Sequence, residues 1–162
     1  MDRQNLAQVY RRHVDTVYRL CFSYLKNAAD SEDAVQSIFT KLLNMDKYFH
    51  TPEHEKAWLI VMSRNHCMNV LRHWWRKSRV ELDSLPEIPY WDNYNEAGEV
   101  FTALLNLREK YKTALYLYYF EDYSVREISK ILHIKESTIQ TRLAKGREIL
   151  KLELGGKYLE ND

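Results

Sequence analysis

The chain has 162 residues, a formal net charge of +1, 45% hydrophobic and 29% charged side chains, the balance of a soluble folded protein of one domain or two small ones. Four glycines and three prolines argue against disorder and for long helices. No apolar run reaches the ~18 residues that a membrane span needs, and the polar, amphipathic start MDRQNLAQVYRRH lacks the apolar core of a signal peptide.

Taken in chain order, nearly every periodic segment is predicted to be helical. Leu6, Val9, Tyr10, Val14, Val17, Tyr18, Cys21 and Leu25 recur at three- and four-residue steps, which marks a helix from about Asp2 to Lys26. Asp30 is the expected cap of the next helix, with Asp33 three residues on, and its apolar face is Val35, Ile38, Phe39, Leu42 and Leu43. Thr51-Pro52-Glu53 supplies an N-cap, a proline at the first helical position and an acid in the first turn. A helix is expected from there to about Arg79, with Trp58, Leu59, Met62 and Val70 turned to a core. Cys21 and Cys67 fall inside helical patterns without CxxC or paired His/Cys spacing, so they read as buried reduced thiols and not as a metal site. The stretch VELDSLPEIPYWDNYNEAG has two of the three prolines and no sustained period, and is expected to be a linker. Helices over Val100–Leu107, Glu109–Phe120, Ser124–Leu132 and from Lys135 to about Leu152 follow. The fold class is therefore all-α, with two small helical domains joined by a linker.

Charge is segregated along this frame. Residues 56–80 hold Lys56, Arg64, Arg72, Arg76, Lys77 and Arg79 and no acid, whereas 81–100 hold six acids and no Lys or Arg. Residues 124–151 hold seven basic and three acidic side chains. Fields act over about a Debye length of ~8 Å, so these blocks matter more than their sum.

The last basic block contains a helix-turn-helix pattern. Ser124 and Glu127 fit a capping box. Ile128, Ile131 and Leu132 face inward, Ile134 plugs the corner, and Ile139 and Leu143 continue the apolar stripe. His133 sits at the corner, where a positive φ is expected and where histidine is enriched among non-glycine residues. The second helix offers Ser137, Thr138, Gln140, Thr141, Arg142, Lys145 and Arg147, groups that hold phosphates and read major-groove edges, and Ala144 suits a thymine methyl. No Gly-rich phosphate loop, nucleophile elbow or metal-ligand motif appears. His50 and His54 fit a loop at a helix start, so no enzyme activity, cofactor or metal is expected.

Three segments resemble the extracytoplasmic function (ECF) class of sigma-70 RNA polymerase sigma factors. DSEDAVQSIFTKLL is similar to that family's polymerase-docking helix, KAWLIVMSRNHCMNVLR to its −10-opening helix, and YSVREISKILHIKESTIQTRLAKGREILK to its −35-binding segment. The family's usual Asp in the opening helix is Asn69 here. His133 stands at the usual turn glycine, Lys135 before the recognition helix, and Ser129 at a common alanine. The resemblance implies a polymerase- and −10-binding domain over 1–79, an acidic linker over 80–97, a −35-binding domain over 98–154 and a tail over 155–162. It implies polymerase contacts by Asp30, Glu32, Asp33 and Gln36, and capture of a flipped base by the loop at Asp46–Glu55, including His50. It further implies −10 contacts by Arg64, Asn65, Asn69, Arg72 and Arg76, and −35 contacts by Ser137, Thr138, Gln140, Thr141, Arg142, Ala144, Lys145 and Arg147. Trp74 and Trp75 are open between base stacking and packing. The implied partners are bacterial core RNA polymerase and promoter DNA, with an anti-sigma factor as a further candidate, in the cytoplasm. The rival reading is a polymerase-independent helix-turn-helix regulator, which leaves the basic block at 56–80 and DSEDAVQ unexplained.

Overall fold

The computed structural model of the protein describes residues 2–77 and 96–155. Arg79, nearly all of the expected linker, and the tail after Gly155 lie outside the described residues. Among the described residues all regular structure is helical. The chain divides into two compact units, one containing α1 (Arg3–Leu25), α2 (Ala28–Leu43) and α3 (Pro52–Lys77), the other α4 (Glu96–Leu104), α5 (Glu109–Tyr119), α6 (Val125–Leu132) and α7 (Glu136–Leu154).

In the first unit α1 packs against both α2 and α3. Asp2 caps α1 by accepting the Asn5 N–H at 2.8 Å. Val9 and Val17 are buried, as the period predicts, but Leu6, Val14 and Tyr18 are only half-buried and Tyr10 is exposed, its ring centre 5.0 Å from that of Phe39 in an edge-to-face contact. From Leu20 to Leu25 every residue is buried, Ser23 included, because this end of α1 is enclosed on all sides. Ser23 tolerates burial by donating to the Leu20 carbonyl at 2.6 Å. The partners across the core are Ile38 and Leu42 on α2 and Leu59, Ile60 and Cys67 on α3, each fully buried and contributing about 1.5–3 kcal/mol for the larger side chains. Trp58, Met62 and Val70 reach only half-burial. Cys21 and Cys67 are both free and buried. The Cys21 thiol is pushed well above its ordinary pKa, first by its hydrogen bond with Cys67 and then by burial.

In the second unit α4 begins at Glu96, four residues before the expected Val100 and inside the stretch assigned to the linker. It ends at Leu104, and the Leu105 and Leu107 N–H groups bond back three residues to Thr102 and Leu104, so the apolar run continues as tight turns. Buried Lys112 donates to the Leu105 carbonyl at 3.2 Å, which gives both groups a partner. Tyr116 is fully buried, stacked on Phe120 at 5.6 Å, with its hydroxyl donating to Glu121 at 2.7 Å. Tyr111, Tyr118 and Tyr119 are half-buried.

Helices α5 and α7 cross closely at Gly146, which is buried. A Cβ there would lie 2.6 Å from Leu115 Cδ1 and 3.1 Å from its Cγ. Leu115 is itself fully buried, so admitting the Cβ requires its side chain to shift within the core. Overpacking in Gly146→Ala should cost about 1–3 kcal/mol and helix propensity return ~1 kcal/mol, a net loss of up to about 2 kcal/mol. Thermal unfolding followed by circular dichroism should show a lower midpoint for the variant, and a higher one would mean that the crossing relaxes freely.

Candidate nucleic-acid and polymerase interfaces

The cap of α2 differs from the sequence expectation. Asn27 is the cap, accepting the Asp30 N–H at 2.8 Å, and α2 starts at Ala28. Asp30 is the third helical residue, and its carboxylate accepts from Asn27 Nδ2 at 2.6 Å. Both residues can cap, and the extended backbone at Asn27 (φ −149°, ψ 153°) decides between them. Asp30 is thus half-buried and engaged locally, whereas Glu32, Asp33 and Gln36 stand exposed on one side of α2. Ile38 and Phe39 are core, as expected.

On α3 the Thr51 cap is as expected, its hydroxyl accepting from the His54 N–H at 3.1 Å. No carboxylate follows Glu55 along this helix. Leu59, Ile60, Ser63 and Cys67 are buried, and the opposite side exposes Asn65, Asn69, Arg72 and Arg76. These four recur at three- and four-residue steps and so lie on one line. Arg72 donates to the Asn69 side-chain oxygen and, at 3.3 Å, to the Met68 carbonyl. Half-buried Arg64 donates to Asn65 Oδ1 at 3.3 Å. Each amide oxygen thus accepts from a neighbouring guanidinium. Trp74 is half-buried, and Trp75 is 65% exposed.

Of Asp46–Glu55, only the part before Pro52 is loop. Phe49 is fastened to Trp58 at 5.6 Å and to His54 at 5.5 Å, with the Lys47 ammonium 5.9 Å from both the Phe49 and Trp58 rings. Tyr48 is 87% exposed. His50 stacks on His54 at 6.3 Å, in the first turn of α3 and about three turns before Asn65, so the structure does not bring it to the Asn65–Arg76 line. Between this loop and the start of α1 lies a cavity of about 330 Å³, lined by Asn5, Gln8, Arg12, Tyr48, Phe49 and Glu55 among others.

Glu55 has a role that the sequence pattern did not suggest. It is buried, accepts from Arg12 Nε at 3.0 Å and Nη2 at 3.2 Å, and lies 2.7 Å from His13 Nε2. This cluster ties α1 to the first turn of α3, and its Arg12 and Glu55 line the cavity. Burial lowers the His13 pKa below its ordinary value, outweighing the Glu55 hydrogen bond and charge that favour the imidazolium. The neutral ring therefore donates to the carboxylate. No local signal marks this cluster, because its members are 42 and 43 residues apart.

In the second unit the capping box at Ser124 and Glu127 is complete: Glu127 N–H donates to the Ser124 hydroxyl at 3.1 Å and Ser124 N–H to the Glu127 carboxylate at 3.0 Å. His133 takes φ 56° and ψ 47°, as the turn requires. The Ser129 carbonyl accepts from both the His133 and Ile134 N–H groups, the latter a Schellman-type bond, and the Ser129 hydroxyl donates to the Ile134 carbonyl. Ser129, at first a mere departure from the family pattern, thus fastens the corner. Ile128 is buried, whereas Ile131, Leu132 and Ile134 are half-buried.

On α7 the inward stripe is Ile139, Leu143, Gly146 and Leu150. Ser137, Gln140, Thr141, Ala144 and Lys145 are exposed. Thr138 and Arg142 are half-buried, flanking this surface and not on it, because their steps from Ile139 and Leu143 keep them beside the packed stripe. Arg147 is half-buried and donates to the Tyr119 hydroxyl at 3.4 Å, which holds it against α5. Thr141 donates to the Ser137 carbonyl at 2.9 Å, and Lys145 lies 3.8 Å from Glu148.

Residues 9–77 match the family profile described as Sigma-70 region 2, and residues 97–150 match Sigma-70, region 4. RNA polymerase sigma factor SigV of Bacillus subtilis (strain 168) is 32% identical over 145 residues, covering 88% of this chain and 86% of that protein. ECF RNA polymerase sigma factor SigW of the same organism is 27% identical over 173 residues, covering 94% and 90%. Among solved structures, the sigma factor RpoE from Bartonella quintana, in complex with the anti-sigma factor NepR, matches with a TM-score of 0.80 and 20% identity over 95% of this chain and 99% of that one. CnrH in complex with the cytosolic domain of CnrY matches with a TM-score of 0.67 and 19% identity, over 96% and 91%. The chain belongs to the sigma-70 family of RNA polymerase sigma factors, in its extracytoplasmic function class. It is a polymerase-binding, promoter-specific initiation factor. Among the described residues no helix is long and apolar enough to cross a membrane.

The His13 cluster has a consequence for pH. A pKa below the unfolded-chain value of ~6.5 means that the fold prefers neutral His13, so its contribution is full above that pH and is lost as pH falls through the folded pKa. His66, lowered by burial and then by Lys41, acts in the same sense. Urea midpoints of the first unit should fall between about pH 7 and pH 5, and His13→Gln, which keeps an N–H for Glu55, should shallow that fall. A midpoint that rises on acidification would contradict the assignment of a neutral ring.

Proposed function

We propose that this chain divides initiation between its two units. Residues 1–79 bind core polymerase and open the −10 element, residues 98–154 read the −35 element as duplex, and residues 80–97 connect them. The observation that carries the division is the asymmetry of α3. One face is packed in the core, and the other sets Asn65, Asn69, Arg72 and Arg76 in line on a helix with no carboxylate after Glu55. Guanidinium groups hold phosphates, and amides bonded to Arg64 and Arg72 meet exposed base edges. The cavity under Tyr48 and Phe49 suits one unstacked base, with a ring to stack on and a polar wall at Arg12 and Glu55.

Glu32, Asp33 and Gln36 are the polymerase contacts on α2, and Asp30 supports them through its bond with Asn27. On α7, Gln140, Thr141 and Lys145 face base edges, with Ala144 against a thymine methyl. Ser137, Thr138, Arg142 and Arg147 hold backbone phosphates, Arg147 from a position set by Tyr119. A base-reading contact discriminates by roughly 1–3 kcal/mol at one position. The protein acts in the cytoplasm without a cofactor. An anti-sigma factor is a further partner, in the manner of the RpoE–NepR pair. A regulator acting without polymerase would use α6 and α7 alone, and nothing in that reading employs the exposed line on α3.

The test is a promoter-library selection. Core polymerase with this chain should enrich a paired −35 and −10 motif, and the chain without polymerase should enrich none. Holoenzyme carrying Gln140→Ala should lose preference at one −35 position by roughly 5- to 150-fold, leaving the −10 motif intact. Enrichment of a duplex motif by the chain alone would establish the regulator instead.

A further inference from the structure

We propose that Trp75 is a base-stacking contact with promoter DNA, in addition to the amide and guanidinium contacts of α3. The inference rests on the assignment of α3 to the opened −10 segment. Trp75 is 65% exposed, whereas tryptophan is highly buried on average. Its neighbour Trp74 is half-buried, so the packing at this end of α3 is met by Trp74 and leaves Trp75 outside. Arg72 lies one turn before it and Arg76 directly after it, and both are exposed. No carboxylate follows Glu55 on this helix, so the charged side chains flanking the indole along it, Arg72 and Arg76, are cationic.

At about 100° per residue, Trp75 sits about 80° around the helix from Asn65, off the Asn65–Arg76 line and on the side of Arg64 and Met68. Along the axis it lies about 9 Å beyond Asn69 at ~1.5 Å per residue, the length of two to three nucleotides at ~3.4 Å each. A base leaving the duplex at that offset would meet the indole face while Arg72 and Arg76 hold the phosphates beside it. Exposed aromatic rings beside guanidinium groups are the chemistry of sequence-tolerant stacking on unpaired bases.

The test uses holoenzymes reconstituted from core polymerase and the full-length wild type, Trp75→Ala, Trp75→Phe or Asn69→Ala. Each binds fork-junction promoter DNA carrying 2-aminopurine at one non-template position of the −10 region at a time. Wild type should quench the probe at a position two or three nucleotides from the one that depends on Asn69. Trp75→Phe should retain most of that quench. Trp75→Ala should lose it and bind the fork about 5- to 150-fold more weakly, with an unchanged salt slope because no phosphate contact is removed. Core affinity, measured by competition with labelled wild type, should be equal for all four proteins. Equal fork binding and quenching by wild type and Trp75→Ala would overturn the proposal. So would a loss of core affinity in Trp75→Ala, which would place the indole on polymerase. A normal signal at every position for Asn69→Ala together with Trp75→Ala would sink the α3 assignment itself.

Discussion

Helix α3 has to bury one side and present the other as a cationic surface, and the rest of the first unit depends on how that is done. Its carboxylates, Glu53 and Glu55, are confined to the first turn, where they complement the positive end of the helix dipole. The arginines that follow repel one another, which costs stability. Burial of Leu59, Ile60 and Cys67 against α1 and α2 offsets that cost. Glu55 secures the start of the helix from the α1 side, through two guanidinium bonds and one imidazole contact. Losing either partner would leave the buried Glu55 carboxylate short of a donor, which destabilises the junction of α1 and α3.

The second unit meets a different requirement. Helix α7 must carry an exposed polar surface at a fixed angle to α6. The corner is held by backbone geometry and not by bulk: His133 takes the left-handed conformation, and Ser129 closes the turn from both its carbonyl and its hydroxyl. Gly146 then lets α7 approach α5 closely, and Tyr119 fixes Arg147. Each device restricts orientation before any DNA is bound, which reduces the ordering cost of recognition.

Much of this was legible in the sequence because it is local. The capping box at Ser124 and Glu127, the Thr51 cap, the positive φ at His133 and the inward stripe of α7 each depend on residues within about one helical turn. The acid-free line on α3 was legible for the same reason. Where two local signals competed, sequence reasoning chose wrongly: Asp30 and Asn27 both can cap, and only the backbone at Asn27 distinguishes them. Contacts set by the tertiary fold left no local trace. The Arg12–His13–Glu55 cluster joins two helices, the need for glycine at 146 comes from Leu115 on another helix, and the half-burial of Thr138 and Arg142 reflects how wide the packed stripe of α7 is.

The central claim is that α3 opens DNA while α2 and α7 retain polymerase and promoter. Permanganate reactivity of −10 thymines, measured beside a protection footprint for holoenzyme with Asn65→Ala and Asn69→Ala combined, tests it most directly. The account predicts that protection over the −35 element persists while thymine reactivity at −10 is largely lost. Full thymine reactivity in that variant, or loss of the −35 protection together with the −10 signal, would contradict it.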